Sequence, residues 1–536
     1  MAEQLTPLDW AIIFGYLIGL IVFSWWLSKA QHSREDYYVG GKNVGPWSIA
    51  MSILATQCST NSILGAPAFV AFAAGGGLIW LQYELAVPIA MIAVMLLLLP
   101  RFYRLDLISV YAWLEQRFDL KTRLILSGVF QFMRAFAISV TVYSVALVLE
   151  SITGLSFFWS IMLIGAVTLI YDVLGGVKGV IYSDVLQMLI LITVIAGLVC
   201  ILFSQTPFFD QLADLPPERV QTLNFYGHGL GDSQTFGFWP MLFGGLFLYV
   251  SYYGCDQSQV QRQLCAPSLR QAQKSLLLNG LLRYPIVLLY CLLGVGISHY
   301  SSVHADFLSQ LPLQSDGSPN LNLAVPVLMG NLLGPGLLGI ALVALFAAAM
   351  SSLDSVINSL SAVTMEDFVF RFRKRSFSAR QELWCSRALT LFWGLLTLTM
   401  AFFVGDIAST VLEAINIIGS LINGPILGVF AIGILSRRAN GHGAVVGLLA
   451  GFGVNLLCWW GWKELSWLWW NPLGFSITFM LAWLLSAVFH STNINQDTSW
   501  LPRKLTSQAI PVIWVWSLAV WSILVFISLW ALPLLG

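Results

Sequence analysis

Apolar runs long enough to cross a bilayer recur along almost the whole chain, and that repetition leaves it only one kind of solvent. A spanning helix needs about 20 predominantly apolar residues. The first such run is Trp10 to Leu27, and others follow as far as 509–533. Inside hydrocarbon every backbone N–H and C=O must find its partner within the protein, so a chain like this folds as packed helices. With 58% of its 536 residues apolar and only 10% charged, it reads as an all-α polytopic membrane protein. A net charge of zero gives no reason to expect a nucleic-acid partner. The seven cysteines and six histidines show no metal-ligand or disulfide spacing. No stretch would make a soluble domain, which argues against a receptor kinase or a channel with a large gating module. The run from Trp10 is too long for a cleavable leader.

Hydropathy and turn residues predict about fourteen helices, near 9–28, 46–73, 78–100, 124–150, 155–173, 178–204, 236–256, 274–299, 329–366, 384–403, 407–436, 441–461, 472–490 and 509–533. Basic residues cluster in the loops after odd-numbered helices, for example Arg101, Arg104, Arg117, Lys121 and Arg123, or Arg371, Arg373, Lys374, Arg375 and Arg380. The opposite loops hold only Arg219 and Lys463. The positive-inside rule then places both termini outside, periplasmic in a bacterium, with the chain a multi-pass protein of the cell membrane.

The stretch from Ala341 to Phe370 is apolar at both ends, but its middle holds Ser351, Ser352, Asp354, Ser355, Asn358 and Ser359. A carboxylate at membrane depth costs about 2.5–3.5 kcal/mol on insertion scales, so it marks a site or a pathway. Ala348, Ser351, Ser352 and Ser355 share one helical stripe. They would present oxygens of the kind that hard cations take. The structural alternative is that the hydroxyls bond carbonyls of their own helix.

Two helices carry polar interruptions. One is Gln57-Cys58-Ser59-Thr60-Asn61-Ser62 followed by Gly65-Ala66-Pro67; the other is Ser251-Tyr252-Tyr253-Gly254-Cys255-Asp256-Gln257. Five helices separate them, so blocks of five starting at each break insert with opposite topology. Broken first helices of inverted repeats are how many secondary transporters build a midplane site. The organisation expected is an extra helix and inner loop (1–45), a first repeat (46–204), an outer loop (205–235), a second repeat (236–436) and three accessory helices (437–536).

Several stretches, in this order and spacing, resemble the solute:sodium symporter family over nearly the whole chain. They include Tyr38-Val39-Gly40-Gly41-Lys42, Phe102-Tyr103-Arg104-Leu105, Leu114-Glu115-Gln116-Arg117-Phe118, Gly175-Gly176-Val177-Lys178-Gly179, Val260-Gln261-Arg262, Val363-Thr364-Met365-Glu366-Asp367 and Asn423-Gly424-Pro425-Ile426-Leu427-Gly428. The break near Cys58 and the last two segments are most similar to the vitamin, monocarboxylate and iodide carriers. The resemblance implies a LeuT-like 5+5 inverted repeat and Na⁺-coupled symport by alternating access. Its sodium ligands, carried over by position, are the carbonyls of Ala55, Cys58 and Ala348 and the hydroxyls of Ser351 and Ser352. Asp184 matches a carboxylate implicated in sodium coupling; with Asp354 and Ser355 it frames a candidate second cation site. The chain departs from the family pattern at Asp172, where Thr is usual, at Val177, which replaces a larger apolar residue, and at Asp354, where the related carriers have a hydroxyl residue.

The solute is expected between the two breaks, near Gln57, Ser59, Asn61, Glu84, Tyr252, Tyr253, Arg283 and Asn416. The helix carrying Gln57 favours a monocarboxylate or vitamin-like anion. Glu84 and Arg283 match positions that sugar carriers use, which favours a sugar or polyol instead. The anion reading requires that an arginine, Arg283 or Arg134, neutralise Glu84. An intramembrane aspartyl protease is superficially spelled by Tyr171-Asp172 and Gly229-Leu230-Gly231-Asp232. That chemistry needs two carboxylates in one buried site, and Asp232 falls in a polar loop. Coupling to H⁺ through Asp184 and Asp354 is the remaining alternative to Na⁺.

Overall fold

The computed structural model describes residues 5–313, 317–373, 377–404, 411–488 and 510–535. Among these residues the regular structure is helical, with only two isolated β-bridges, Leu230 to Leu465 and Leu313 to Pro319. In chain order the principal helices are α1 (Pro7–Ser28), α2 (Arg34–Val39), α3 (Pro46–Gln57), α4 (Thr60–Ala71) and α5 (Leu78–Arg104). Next come α6 (Leu120–Thr153), α7 (Phe157–Gln205), α8 (Gly245–Cys255), α9 (Gln257–Leu264), α10 (Leu269–Val303) and α11 (Leu337–Val363). The chain ends with α12 (Ala379–Ala401), α13 (Val411–Leu435), α14 (Gly441–Gly461), α15 (Trp470–Val488) and α16 (Val512–Ala531).

Eleven helices among the described residues are long and apolar enough to cross a membrane, against the fourteen expected. The difference has three sources. The helix expected over 46–73 is broken into α3 and α4, of 12 residues each. The one expected over 236–256 is divided into a π-helical turn, Pro240–Gly244, and the 11-residue α8, with α9 restarting after Asp256. Those expected over 155–173 and 178–204 adjoin without a loop, and α7, 49 residues in all, is two helical stretches parted by non-helical backbone at Gly176. Gly176 has φ +54°, where an L-residue is strained. A methyl there would also lie 2.8 Å from the Tyr37 carbonyl and ring. The helix expected to begin at 329 begins at Leu337, because Gly334-Pro335-Gly336 interrupts the backbone and Gly336 adopts φ +83°.

α11 is the centre of the molecule. In the apolar window of Leu337–Phe372, 94% of residues are buried inside protein, against 17% for Val512–Leu534. The oxygens of α11 therefore face other helices: it packs on α1, α3, α6, α7 and α12. Helix association in lipid gains little from hydrophobicity and relies on close packing. The seam between α13, α14 and α15 shows this. A methyl at Gly447 would sit 2.5 Å from the Thr478 carbonyl oxygen, and one at Gly428 would sit 2.8 Å from the Thr478 side chain.

Candidate functional site

The break between α3 and α4 is a place where helical bonding stops. Cys58 has φ −80° and ψ 59°, and Ser59 starts α4 from extended backbone. The last carbonyls of a helix lack intrahelical partners, and here α11 supplies them. The Ser351 hydroxyl donates to the carbonyls of Ala55 and Ala348, at 3.2 Å each. The Ser352 hydroxyl donates to Thr56 and Ala348, at 3.3 Å each. Ser351 is 1% exposed and Ser352 6%. The five expected sodium ligands thus lie at one junction, where Cys58 is the buried turn. The Thr56 carbonyl is a sixth oxygen that the sequence reading did not name. Ser355 and Ser359 also follow the self-bonding pattern, donating to the carbonyls of Ser351 and Ser355 at 2.7 and 2.9 Å.

Beside this junction lies a buried acid cluster. Asp184 on α7 accepts from the Ser52 hydroxyl at 2.5 Å and lies 3.7 Å from the Arg262 guanidinium of α9. Arg262 also donates to the Thr56 hydroxyl at 2.7 Å and to the Ser355 hydroxyl. Ser355 in turn contacts Asp354 Oδ1 at 3.1 Å, and the Tyr171 hydroxyl donates to Asp354 Oδ2 at 2.6 Å. The structure therefore brings Asp184, Asp354 and Ser355 together. It adds Asp172, whose Oδ1 accepts from Asn358 at 3.2 Å. Asp172, Asp184 and Asp354 are all fully buried. Asp184 alone of the three lies within ion-pair distance of a guanidinium among the described residues, and Asp172 Oδ2 and Asp184 Oδ1 have no hydrogen-bond partner there. Such an excess of buried acid is relieved either by protonation or by a bound cation.

A cavity of about 250 Å³ opens on the same junction. Gln57, Cys58 and Ser59 line it from the first break, Tyr252 and Ser258 from either side of the second, and Arg134, Arg283 and Asn423 from other helices. Tyr252 stands in the wall, its hydroxyl accepting from Gln259 at 2.7 Å. Tyr253 is buried behind it and donates to the Gln57 side chain. Glu84 is 1% exposed and lies behind Arg283, whose Nε and Nη2 donate to its two oxygens at 2.8 and 3.1 Å. Arg134 is engaged elsewhere, with Nε donating to Asp256 Oδ2 at 2.6 Å and the guanidinium 5.2 Å from the Tyr252 ring. The side chains of Asn61 and Asn416 lie outside the described residues. The sequence offers Arg134 only as a candidate partner for Glu84 and Asp256 only as part of the second break; the structure pairs the two with each other, as wall and support. The signal was there: an arginine within an apolar span, and an acid at a helix break.

Asp232 stays in its loop, accepting from the backbone N–H of His228 at 2.8 Å and of Gln234 at 3.1 Å. Slight burial raises its carboxyl pKa, but these donors hold it below the ordinary value. Asp172 and Asp232 share no partner among the described residues, so the protease motif has no geometry behind it there.

A bundle of membrane helices, with two of them broken around a central cavity, is the architecture of a secondary transporter. The comparisons give the class a family. Residues 37–451 match the model of the sodium:solute symporter family, and the chain belongs to that family. It is 30% identical over 455 residues to human sodium-coupled monocarboxylate transporter 1, covering 84% of this chain and 72% of that one. It is 30% identical over 453 residues to the rabbit sodium-dependent multivitamin transporter, covering 82% and 67%. Its fold is similar to that of a Na⁺-coupled sialic acid symporter solved in a substrate-bound outward-open state. The TM-score is 0.81 at 25% identity, with 91% of this chain and 99% of that one covered. The family and the relatives are transporters, not enzymes, and their fold is LeuT-like.

Proposed function

We propose that this chain imports a small monocarboxylate or vitamin-like anion, driven by Na⁺ bound where α11 meets the break after α3. The observation that carries the anion reading is the bidentate Arg283–Glu84 pair, which removes the one acid that would repel an anionic solute. Arg134 and Arg283 stand in the cavity wall, each already paired with an acid, and offer a solute carboxylate the N–H groups that Asp256 and Glu84 do not take. The Na⁺ ligands proposed are the carbonyls of Ala55, Cys58 and Ala348 and the hydroxyls of Ser351 and Ser352. A hydroxyl that donates to a carbonyl in the ion's absence turns its lone pairs to the ion when it binds. Five neutral oxygens hold a monovalent cation firmly enough to assemble the site and loosely enough to release it. Asp184, Asp354 and Ser355 are proposed as the second cation site.

In this mechanism Na⁺ ties the break of one five-helix repeat (46–204) to α11 of the other (236–436) and completes the solute cavity. Inward rocking then separates Ser351 and Ser352 from Ala55 and Cys58, and the ion leaves. The positive loops orient the chain with both termini outside.

The test is thermal unfolding of the purified protein in Na⁺ against choline at fixed pH, with a panel of carboxylates, vitamins, sugars and polyols. A ligand at 100 times its Kd stabilises by about 2.7 kcal/mol. Stabilisation by anions only when Na⁺ is present, lost in Ser352→Ala, is the expected result. Stabilisation by sugars or polyols alone would refute the anion reading, and an unchanged Na⁺ response in Ser352→Ala would refute the cation site.

A further inference from the structure

α1 lies outside residues 37–451, the part of the chain that the family accounts for. Yet one of its residues is bonded directly into the backbone of the helix that carries Ser351 and Ser352. Asp9 is fully buried, and its Oδ1 accepts from the N–H groups of Gly336 and Gly339, at 2.8 Å each. Oδ2 accepts from the backbone N–H and hydroxyl of Thr6, at 2.9 and 2.6 Å. Gly336 is the residue before the first turn of α11 and offers no side chain to cap it. The first N–H groups of a helix are unsatisfied and carry partial positive charge. A carboxylate from another helix supplies what α11 lacks. The two backbones meet here, since a methyl at Gly339 would lie 2.8 Å from Asp9 Cα.

The rest of α1 runs along the same functional core. The Tyr16 hydroxyl is buried, without a hydrogen-bond partner among the described residues, on the face of α1 that packs against α7 and α11. Near the other end Ser24 sits on Gly175, and Gln31 Nε2 donates to the Gly175 carbonyl at 2.5 Å, next to the kink of α7. α1 is therefore fixed at two points, the first turn of α11 and the α7 kink, with the acid cluster between them.

We propose that Asp9 is a positioning residue for the cation site: by capping α11 it sets that helix's height against α3, so that Ser351 and Ser352 meet the carbonyls freed at the break. From Gly339 to Ser351 is about 18 Å of uninterrupted helix at 1.5 Å per residue. A helix transmits an axial shift along its length, and ligand distances in a metal site hold to about 0.2 Å. Loss of the cap therefore weakens Na⁺ binding without removing a ligand. This rests on the reading that Na⁺ binds at that junction.

The experiment titrates Na⁺ against choline on the purified full chain and follows its thermal unfolding. Asp9→Ala is expected to raise the Na⁺ midpoint about five- to tenfold, the range of a modest coupling between sites. Asp9→Asn, whose Oδ1 keeps both amide bonds, shifts it less. Gly339→Ala, which wedges α1 from α11 with the carboxylate intact, shifts it in the same direction and gives the readout if Asp9→Ala does not fold. Ser28→Ala, whose hydroxyl bonds only the Trp25 carbonyl of its own helix, stays at the wild-type midpoint. Lower melting temperatures in choline with unmoved Na⁺ midpoints would show a purely structural clamp and overturn the proposal. A wild-type protein with no Na⁺ response would overturn the cation reading itself, and this proposal with it.

Discussion

Replacing Arg283 by Met should be among the most damaging single changes to the cavity wall, and replacing Glu84 at the same time should repair most of the damage. Glu84 is 1% exposed and both its oxygens are taken by one guanidinium, at 2.8 and 3.1 Å. Removing one partner leaves an uncompensated buried charge, at a cost of about 3–5 kcal/mol. Replacing both by apolar groups of similar volume is often neutral or better. The double-mutant cycle should therefore give a coupling energy of about 3 kcal/mol, well above the scatter of independent sites. The assay is thermal unfolding in detergent for wild type, Arg283→Met, Glu84→Met and the pair. The solute panel is then repeated on the pair. A structural role for Glu84 predicts that an anion response survives in the pair, weakened by the loss of one guanidinium. If Arg283→Met were as stable as wild type, the claim that Glu84 is consumed by this arginine would fail.

Three further outcomes follow from the geometry. Gly176→Ala puts a methyl 2.8 Å from Tyr37 at φ +54° and should cost about 1–3 kcal/mol; unfolding midpoints equal to wild type would contradict the account of the α7 kink. Arg262→Leu strips the acid cluster of its one guanidinium and should cost about 3–5 kcal/mol, partly recovered by Asp184→Asn in the same chain, as a stability cycle would show. Asp232 has a folded-state pKa below the ordinary 3.8, so its loop contribution is present above that value and is lost as pH falls through the lower one. The stability difference between wild type and Asp232→Asn should therefore close below about pH 3.8, while the Na⁺ response of the variant stays that of wild type.

Much of this was legible from residues alone, for identifiable reasons. Oxygen-rich Ser351–Ser359 in an apolar run admits few explanations, and α11 is indeed the most enclosed of the long helices. The polar interruptions near Cys58 and Asp256 were visible because hydrocarbon excludes such residues unless backbone has been freed there. Pairings were not legible. Whether Glu84 meets Arg134 or Arg283, and which of Tyr252 and Tyr253 faces the cavity, depends on helix rotation, which hydropathy leaves undetermined. The division expected between 173 and 178 falls at Gly176, where one residue of non-helical backbone parts two helical stretches with no loop between them. Asp9 was invisible for a different reason: its partners are backbone amides, which carry no mark in a sequence.

The glycine seam between α13, α14 and α15 bears on how motion in this transporter can be measured. Where a single methyl would drive into the Thr478 carbonyl, the facing surfaces have no rotamers to exchange and no slack for sliding. Spectroscopic labels on the lipid-facing sides of α14 and α15 should keep a constant separation through the transport cycle. That separation would serve as an internal ruler against which every other helix displacement can be read.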